Sequence, residues 1–329
     1  MFSGRELASP SVTWLMPVRN GMPFLVATLA SIAAQTYANH RILVWDNGST
    51  DGTLETLRAW IPDRIPGTIV ADRPLSLGVS RAALVETATT ELCACIDADD
   101  VNLPERLERQ VAVFARSPDL VALGAVPDII DENDQPLPDW DYPLGDAEIR
   151  WRTRWQSSLN ASSVMFRRSS VIAAGNYRDL IRGQDLDLWM RLASVGRMES
   201  LPQRLVRYRR HSGNHTVAYI DYYPLDRAIA KPNLGTLFPK LTAEEAVQLW
   251  EVAYPRLNQR GVALRHFKLL RHAAKTSATT LGAPADYFTA TKYYACQRRV
   301  MLRNIGFERL NIDGKRLLDS KPKWLRPRR

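Results

Sequence analysis

The sequence has few cysteines and no long apolar run. Cys93, Cys95 and Cys296 are the three cysteines in 329 residues, too few for a disulfide framework, and no Cys-x-x-Cys or Cys/His spacing predicts zinc. No apolar run approaches the roughly 20 residues that a membrane-spanning helix needs. Residues 1–10 also lack the apolar segment of a secretion signal. We therefore expect a reduced, cytoplasmic protein.

The net charge is +9 with histidine neutral, and basic residues are concentrated in residues 315–329. This segment surrounds a tryptophan and a leucine with lysines and arginines, a composition that matches the anionic inner face of a membrane. Nucleic acid is the other usual partner of a basic tail, and a frayed, solvated tail needs no partner. Because the aromatic residues form no nucleic-acid-binding motif, we predict no nucleic-acid partner and keep peripheral membrane contact as a hypothesis.

The first half of the sequence alternates apolar, strand-like runs with amphipathic helical segments. This alternation predicts an α/β fold with a mostly parallel central sheet flanked by helices. The predicted strands are 12–18, 41–46, 68–71, 92–97 and 121–126, and the predicted helices are 23–35, 53–60 and 104–116. The alternating Cys93 and Cys95 are predicted to point to one face of their strand as small core residues.

The second half begins with a less regular segment. Four prolines and several acidic residues in 127–154 predict a long surface loop. A short helix at 185–192 and a strand at 201–208 follow, and then three helices with leucine, alanine and aromatic stripes at 244–254, 265–278 and 284–304. We therefore divide the chain into an α/β domain, 1–220, and a basic helical extension, 221–329.

Three carboxylates lie within four residues where the predicted strand 92–97 ends. Asp97, Asp99 and Asp100 repel one another, which raises the pKa of at least one of them unless a cation neutralises the group. Mg²⁺ or Mn²⁺, which prefers oxygen ligands, is the natural candidate. The alternative is a solvated acidic turn, a common feature of loops.

Polar, turn-rich segments also follow the first two predicted strands. Residues 17–21 follow the first strand, and residues 46–49 follow the second. In an open sheet of parallel strands, ligands bind beyond the carboxyl ends of the strands. We therefore expect these two segments and the acidic cluster to line one ligand-binding crevice.

In their order and spacing, these segments resemble the motifs of bacterial family 2 glycosyltransferases, inverting enzymes with the nucleotide-diphospho-sugar-binding fold called GT-A. The resemblance covers roughly residues 12–215. The matching segments are Pro17-Val18-Arg19-Asn20-Gly21, Gln35-Thr36-Tyr37 with 46–53, 77–82, Asp97-Ala98-Asp99-Asp100 with 104–107, Gly183-Gln184-Asp185, and Tyr208-Arg209-Arg210-His211. The implied fold is GT-A with a C-terminal helical extension.

The resemblance also implies a role for individual residues. A nucleotide-diphospho-sugar would contact Pro17, Asn20, Asp46, Asn47, Arg81, Asp97 and Asp99. Mn²⁺ or Mg²⁺ would be held by Asp99, with Asp100 and His211 as further ligands, while Asp97 lies by the ribose or reaches the metal through water. Asp185 would be the general base that inversion requires.

Each of these assignments has a structural alternative. Asp185 could instead cap a helix, His211 could be merely solvated, and Arg81 could form only a surface ion pair. Asn47 stands where the family often has a second aspartate; because an asparagine oxygen also accepts a hydrogen bond, uridine and thymidine nucleotides both stay open. Gln184 replaces a glutamate before the base.

The predicted function is a metal-dependent, inverting transfer of one sugar to a glycan or lipid-linked acceptor in surface polysaccharide or glycolipid assembly. Single transfer is predicted because the Gln-x-x-Arg-Trp element of processive synthases and membrane spans are absent from the sequence. The alternative is a non-catalytic nucleotide-sugar-binding assembly partner. A sugar-phosphate nucleotidyltransferase is disfavoured, since residues 17–21 do not form a glycine-rich phosphate loop.

Overall fold

The computed structural model describes residues 10–71, 73–180, 182–214, 223–254 and 264–304. The basic tail, residues 315–329, lies outside the described residues, as do residues 1–9. Within the described residues the strands are β1 (Val12–Val18), β2 (His40–Asp46), β3 (Gly67–Ala71), β4 (Leu92–Cys95), β5 (Val101–Asn102), β6 (Leu120–Asp131), β7 (Met165–Arg167) and β8 (Arg197–Arg210).

The helices lie between the strands and after the last one. They are α1 (Leu25–Ala33), α2 (Thr53–Trp60), α3 (Leu77–Thr87), α4 (Arg106–Arg116), α5 (Asp146–Thr153), α6 (Arg168–Ala173), α7 (Gln184–Leu192), α8 (Tyr223–Ala230), α9 (Leu234–Leu237), α10 (Ala243–Ala253), α11 (Leu264–Thr280) and α12 (Lys292–Asn304). The predicted fold class, an α/β sheet flanked by helices with further helices at the C-terminal end, is confirmed.

All eight strands form one sheet, in the order β3-β2-β1-β4-β7-β6-β8-β5. The first four of these are parallel to one another. The next strand, β7, is antiparallel to both neighbours, whereas β6 and β8 are parallel. The parallel block places the carboxyl ends of β1, β2 and β4 at one edge of the sheet.

The centre of the parallel block is buried on both faces, as helices on either side of a parallel sheet require. All seven residues of β1 are buried. Trp14 and Met16 pack in one core with side chains of α1, α2 and α4. On the opposite face Leu15 packs with Cys93 and Cys95 against α3 and α7, so the prediction that these cysteines are small core residues is confirmed.

The long surface loop predicted at 127–154 is wrong at both ends. Strand β6 continues to Asp131, because it pairs with β8 as far as the Asp131–Arg210 register. Residues 146–153 form α5, whose Ile149 and Trp151 are fully buried. The prolines and acidic residues of this segment favour a loop in the local sequence. The strand and the helix form nevertheless because residues far along the chain stabilise them.

The C-terminal helices share a core with the α/β part. Trp151 and Trp155 pack with Met190 of α7 and with apolar side chains of α8 to α12. The indole N–H of Trp155 donates to the Trp250 carbonyl (3.1 Å). No helix in the described part of the chain is long and apolar enough to span a membrane. A division of the chain at residue 220 stays a prediction.

Candidate active site

The segments that follow β1, β2 and β4 are joined by hydrogen bonds. The Asn20 N–H donates to Ser49 Oγ (2.8 Å), and the Thr50 N–H donates to Asn20 Oδ1 (2.9 Å). Thr28 Oγ1 of α1 donates to the Ala98 carbonyl in the acidic segment (2.9 Å). The structure therefore brings the three polar strand exits together at one edge of the sheet.

Asp46 and Asn47 shape the turn after β2. Both side chains are buried, and Asp46 Oδ1 accepts hydrogen bonds from the Ser49 hydroxyl (2.5 Å) and the Ser49 N–H (3.2 Å). Asn47 Oδ1 accepts the Leu75 N–H (3.0 Å) ahead of α3. Pro17 lies within β1, opposite Trp45. These contacts fix the turn after β2 and join it to the segment ahead of α3.

Arg81 of α3 and Asp97, which follows β4, form an ion pair. Arg81 Nη2 lies 2.7 Å from Asp97 Oδ1, and the Arg81 side chain is only 7% exposed, so this is not a surface ion pair. Burial raises the pKa of Asp97, the Arg81 charge lowers it, and the charges of Asp99 and Asp185 raise it again. The pair therefore fixes Asp97 among other carboxylates, where a buried cation partly offsets their repulsion.

Asp99 faces His211, which follows the end of β8. His211 Nε2 lies 2.9 Å from Asp99 Oδ2, and Asn214 Nδ2 donates to the same oxygen (2.8 Å). His211 Nδ1 accepts the Gly213 N–H (3.2 Å), so the network assigns the ring proton to Nε2, facing Asp99. His211 is therefore held against the acidic segment by hydrogen bonds.

Asp99 and His211 fit a divalent cation better than Asp100 does. Asp100 is fully buried and accepts the Arg209 N–H (2.8 Å), and burial raises its pKa well above the usual range. Within the described residues, no group of three or more His, Cys, Asp or Glu side chains is arranged to hold a metal. Mg²⁺ commonly uses one or two protein carboxylates and completes its shell with substrate phosphates and water. Asp99 supplies one such carboxylate, and His211 Nε2 would join it as a nitrogen ligand in the tautomer whose proton is on Nδ1.

Asp185 lies in the first turn of α7 and is not the cap of that helix. The N-cap is Gly183, in the left-handed conformation with φ +69°. The Asp185 carboxylate is half-buried and makes no hydrogen bond or ion pair with the residues that the structure describes. Its charge acts on Arg81, Asp97 and Tyr142, which lie around it. A carboxylate that neither caps the helix nor forms an ion pair with the described residues is available to accept a proton.

The neighbouring Asp187 has a structural role instead. It is 1% exposed, and Arg191 donates to its Oδ2 (2.6 Å) while Arg178 donates to its Oδ1 (3.0 Å). Asn233, from the C-terminal helices, also donates to Oδ1 (3.0 Å). These bonds connect α7 both to the segment that precedes it and to the C-terminal helices.

Sequence reasoning missed several residues that build the site. Phe24 contacts both the Arg209 guanidinium (4.7 Å from the ring centre) and the His211 ring (4.8 Å between ring centres). Arg106 lies behind the acidic segment, fully buried, and donates to Ser162 O and Cys95 O. Phenylalanine and arginine at these positions show no local pattern of a site. Only the neighbouring family motifs pointed to this region.

Comparisons with known proteins agree with the motif series. A family model described as "Glycosyl transferase family 2" matches residues 13–174. The amylovoran biosynthesis glycosyltransferase AmsE of Erwinia amylovora is 29% identical over 223 residues, which cover 64% of this chain and 83% of AmsE. The O-antigen biosynthesis glycosyltransferase WbnJ of Escherichia coli is 23% identical over 218 residues, covering 64% of this chain and 84% of WbnJ.

Solved structures match over more of the chain. S. aureus TarS 1-349 in complex with UDP-GlcNAc superimposes with a TM-score of 0.59 at 14% identity, covering 93% of this chain and 92% of that chain. Against a longer TarS chain the TM-score is also 0.59, and this chain spans about half of it (53%). At this identity the likeness shows the fold alone. The family-model match ends before α7, so Asp185 and His211 lie beyond it.

Proposed function

Since the chain belongs to glycosyl transferase family 2 and is a glycosyltransferase, we propose that it transfers one sugar, with inversion, from a nucleotide-diphospho-sugar to an acceptor hydroxyl. The observation that carries this proposal is that the charge of Asp185, which has no ion-pair partner among the described residues, acts on both members of the buried Arg81–Asp97 pair. The Asp99–His211 pair lies on the same acidic segment as Asp97. A base and a diphosphate-binding edge facing one another are what inverting transfer requires.

The donor is proposed to be a UDP-sugar or a dTDP-sugar. Buried Asp46 and Asn47 lie by the expected pyrimidine position, and Asn47 Oδ1 has a second lone pair beyond the one that accepts the Leu75 N–H. TarS, which shares the fold, has been crystallised with UDP-GlcNAc and with UDP. These observations favour uridine, and thymidine differs from it at positions that Asn47 would not contact.

The diphosphate is proposed to leave with the help of Mn²⁺ or Mg²⁺ held by Asp99 and His211. When bound, such a cation neutralises the charge that develops on the leaving diphosphate. Binding through Nε2 would require the His211 tautomer whose proton is on Nδ1, and in that tautomer Nδ1 would no longer accept the Gly213 N–H. Asp100 as a third ligand stays a prediction, although its bond to the Arg209 N–H favours a structural role.

Asp185 is proposed to take the proton from the attacking acceptor hydroxyl. It lies in the first turn of α7, at the end of the helix whose dipole attracts an anion. The guanidinium of Arg81 lowers the pKa of Asp97 and so offsets part of the larger effect of burial, which raises that pKa. The proton would remain on Asp185 until the product leaves.

The acceptor is proposed to belong to surface polysaccharide or glycolipid assembly. AmsE and WbnJ act in amylovoran and O-antigen biosynthesis by their names, which supports a polysaccharide. Cytoplasmic location and membrane contact through residues 315–329 remain predictions from composition. A non-catalytic nucleotide-sugar-binding partner is the alternative function.

The test is release of nucleoside diphosphate from UDP-, dTDP- and GDP-sugars, with Mn²⁺ or with EDTA. We expect metal-dependent release from one donor, its loss in Asp99→Ala, and a loss of about 10²–10⁴-fold in kcat in Asp185→Asn with unchanged UDP affinity. Asp63→Asn, an exposed aspartate in the turn after α2, is the matched control and should behave as wild type. Equal release by wild type and Asp185→Asn would exclude Asp185 as the base. Donor binding without release, with or without acceptors, would favour the non-catalytic alternative.

A further inference from the structure

One exposed aromatic side chain belongs to a cluster beside the crevice. Among the described residues, Trp140 is the one aromatic side chain in the set of exposed large hydrophobic residues, with 37% of its surface exposed. Its ring centre lies 5.9 Å from that of Tyr208 and 6.3 Å from that of Tyr142. The rings are tilted rather than stacked, so none covers the whole face of another. We call Trp140, Tyr142 and Tyr208 the aromatic cluster.

Trp140 is held in place although it is exposed. The residue before it, Asp139, pairs with Arg204 of β8 (2.6 Å), and the carbonyl of the residue after it, Asp141, accepts a hydrogen bond from buried Arg152 of α5 (2.6 Å). The hydrogen bond holds the backbone after the indole, and the ion pair ties the side chain before it to β8. An aromatic ring fixed before the ligand arrives binds with less loss of conformational entropy.

The cluster lies on the face of the sheet that carries α5 and α7. Arg209 of β8 packs on Phe24, beside α1, and its Nε donates to the Asp99 carbonyl (2.9 Å). Because successive side chains of a strand point to opposite faces, Tyr208 lies on the other face of β8 from Arg209. On that face Arg152 of α5 donates to the Asp141 carbonyl, and α5 packs with α7, the helix that carries Asp185. The aromatic cluster therefore lies on the side of Asp185 rather than on the side of the Asp99–His211 pair, and the Asp185 charge adds to burial in raising the pKa of the Tyr142 hydroxyl.

Polar groups frame the aromatic cluster. The Arg210 guanidinium lies 5.6 Å from the centre of the Trp140 ring. Asp139 and Asp141 are exposed at the same place. A pyranose ring has an apolar face of C–H groups, which packs on an electron-rich aromatic face, and a rim of hydroxyls that needs hydrogen-bonding partners. The cluster and its charged neighbours offer both.

We propose that Trp140, Tyr142 and Tyr208 form the subsite that binds a pyranose ring of the acceptor and presents its hydroxyl to Asp185. This inference rests on the proposed function for the identity of the acceptor. It adds a binding site that the family motifs do not contain, since Trp140 and Tyr142 lie outside all of the matching segments. The predicted surface loop thus carries the acceptor subsite.

The test separates acceptor binding from donor chemistry. The probes are the methyl α- and β-glycopyranosides of glucose, galactose, mannose and N-acetylglucosamine. Their binding in the presence of UDP is measured by saturation-transfer NMR, and they are also tested as acceptors in the nucleotide-release assay. We expect Trp140→Ala to raise the KM for the stimulating glycoside about tenfold, the change that corresponds to roughly 1.4 kcal/mol of lost stacking. Nucleotide release to water should stay within twofold of wild type. Trp140→Phe should recover part of the loss.

Leu144→Ala is the matched control, because Leu144 lies on the same segment and is 43% exposed. Equal effects of Trp140→Ala and Leu144→Ala on the glycoside KM would overturn the proposal. So would binding of no glycoside by wild type, or an equal loss of acceptor-independent release in Trp140→Ala. If wild type released no nucleotide from any donor, the proposed function would fail, whereas glycoside binding that depends on Trp140 would still support the subsite.

Discussion

Replacing Gly183 by alanine would disturb the helix that carries Asp185, and the structure allows the effect to be divided into two parts. Gly183 has φ +69°, in the left-handed region. A Cβ added there would lie 2.2 Å from Ile229 Cδ1 on α8 and 3.6 Å from Ile229 Cγ1. The overlap therefore involves a single methyl group of Ile229, which Ile229→Val removes.

The two parts have different magnitudes. The left-handed conformation costs an alanine about 1 kcal/mol relative to glycine, and forcing a methyl group into a packed contact costs about 1–3 kcal/mol. Ile229 is buried, so Ile229→Val by itself costs about 0.5–1.5 kcal/mol. In the Ile229→Val background Gly183→Ala retains only the conformational cost. The double-mutant cycle should therefore show a coupling of about 1–3 kcal/mol, with the double variant more stable than additivity predicts.

Urea unfolding of the wild type, both single variants and the double variant measures this coupling. The same four proteins are assayed for nucleotide release and for UDP affinity. Because Asp185 follows Gly183 by two residues, displacement of α7 in Gly183→Ala should lower kcat at least about tenfold, and Ile229→Val should restore part of it. UDP affinity should not change, since the Asp97 and Asp99 segment is separate from α8. Additivity within about 0.5 kcal/mol, or a kcat that Ile229→Val does not improve, would refute the reasoning.

Two further predictions concern buried groups behind the site. Burial lowers the pKa of Arg106 to about 9, so its guanidinium stays charged at neutral pH and donates to several buried oxygens. Arg106→Met should therefore lower the free energy of unfolding in urea by at least about 3 kcal/mol. An effect below about 1 kcal/mol would contradict this role. Cys93, Cys95 and Cys296 are buried. Burial raises the pKa of the Cys93 thiol to about 12 and also raises that of the Cys95 thiol, which keeps both protonated at neutral pH, while burial shields Cys296 from reagents. Ellman's reagent should then count no thiols in the native protein and three in urea, whereas a rapidly reacting native thiol would refute this.

The parallel half of the fold follows directly from local sequence pattern. Strand β1 coincides with the predicted 12–18, and α2 with the predicted 53–60. Apolar runs bounded by turn residues specify such strands because both of their faces are buried by helices. Once the strands are parallel, the polar residues that follow them meet at one edge, so Asn20, Asp46 and Asp97 could be assigned to one crevice without coordinates.

The second half of the fold is stabilised by contacts between residues far apart in the chain, which no local sequence pattern contains. The extension of β6 to Asp131 is stabilised by β8, and α5 is buried by α7 and by α8 to α12, which follow it far along the chain. Likewise, equally acidic neighbours in the sequence have different environments in the fold: Asp99 faces His211, whereas Asp100 is buried under the Arg209 N–H.

The sequence by itself therefore determined the fold class, the family and the segments that line the crevice, because these depend on strand periodicity and on short motifs. Only the tertiary structure decided which carboxylate pairs with which basic side chain and that Asp185 is not a helix cap. It also decided that Ile229 packs against Gly183 and that Trp140 lies beside Tyr142 and Tyr208. Such contacts join residues far apart in the chain, and their distances are set by the packing of whole helices and strands rather than by the residue types next to them.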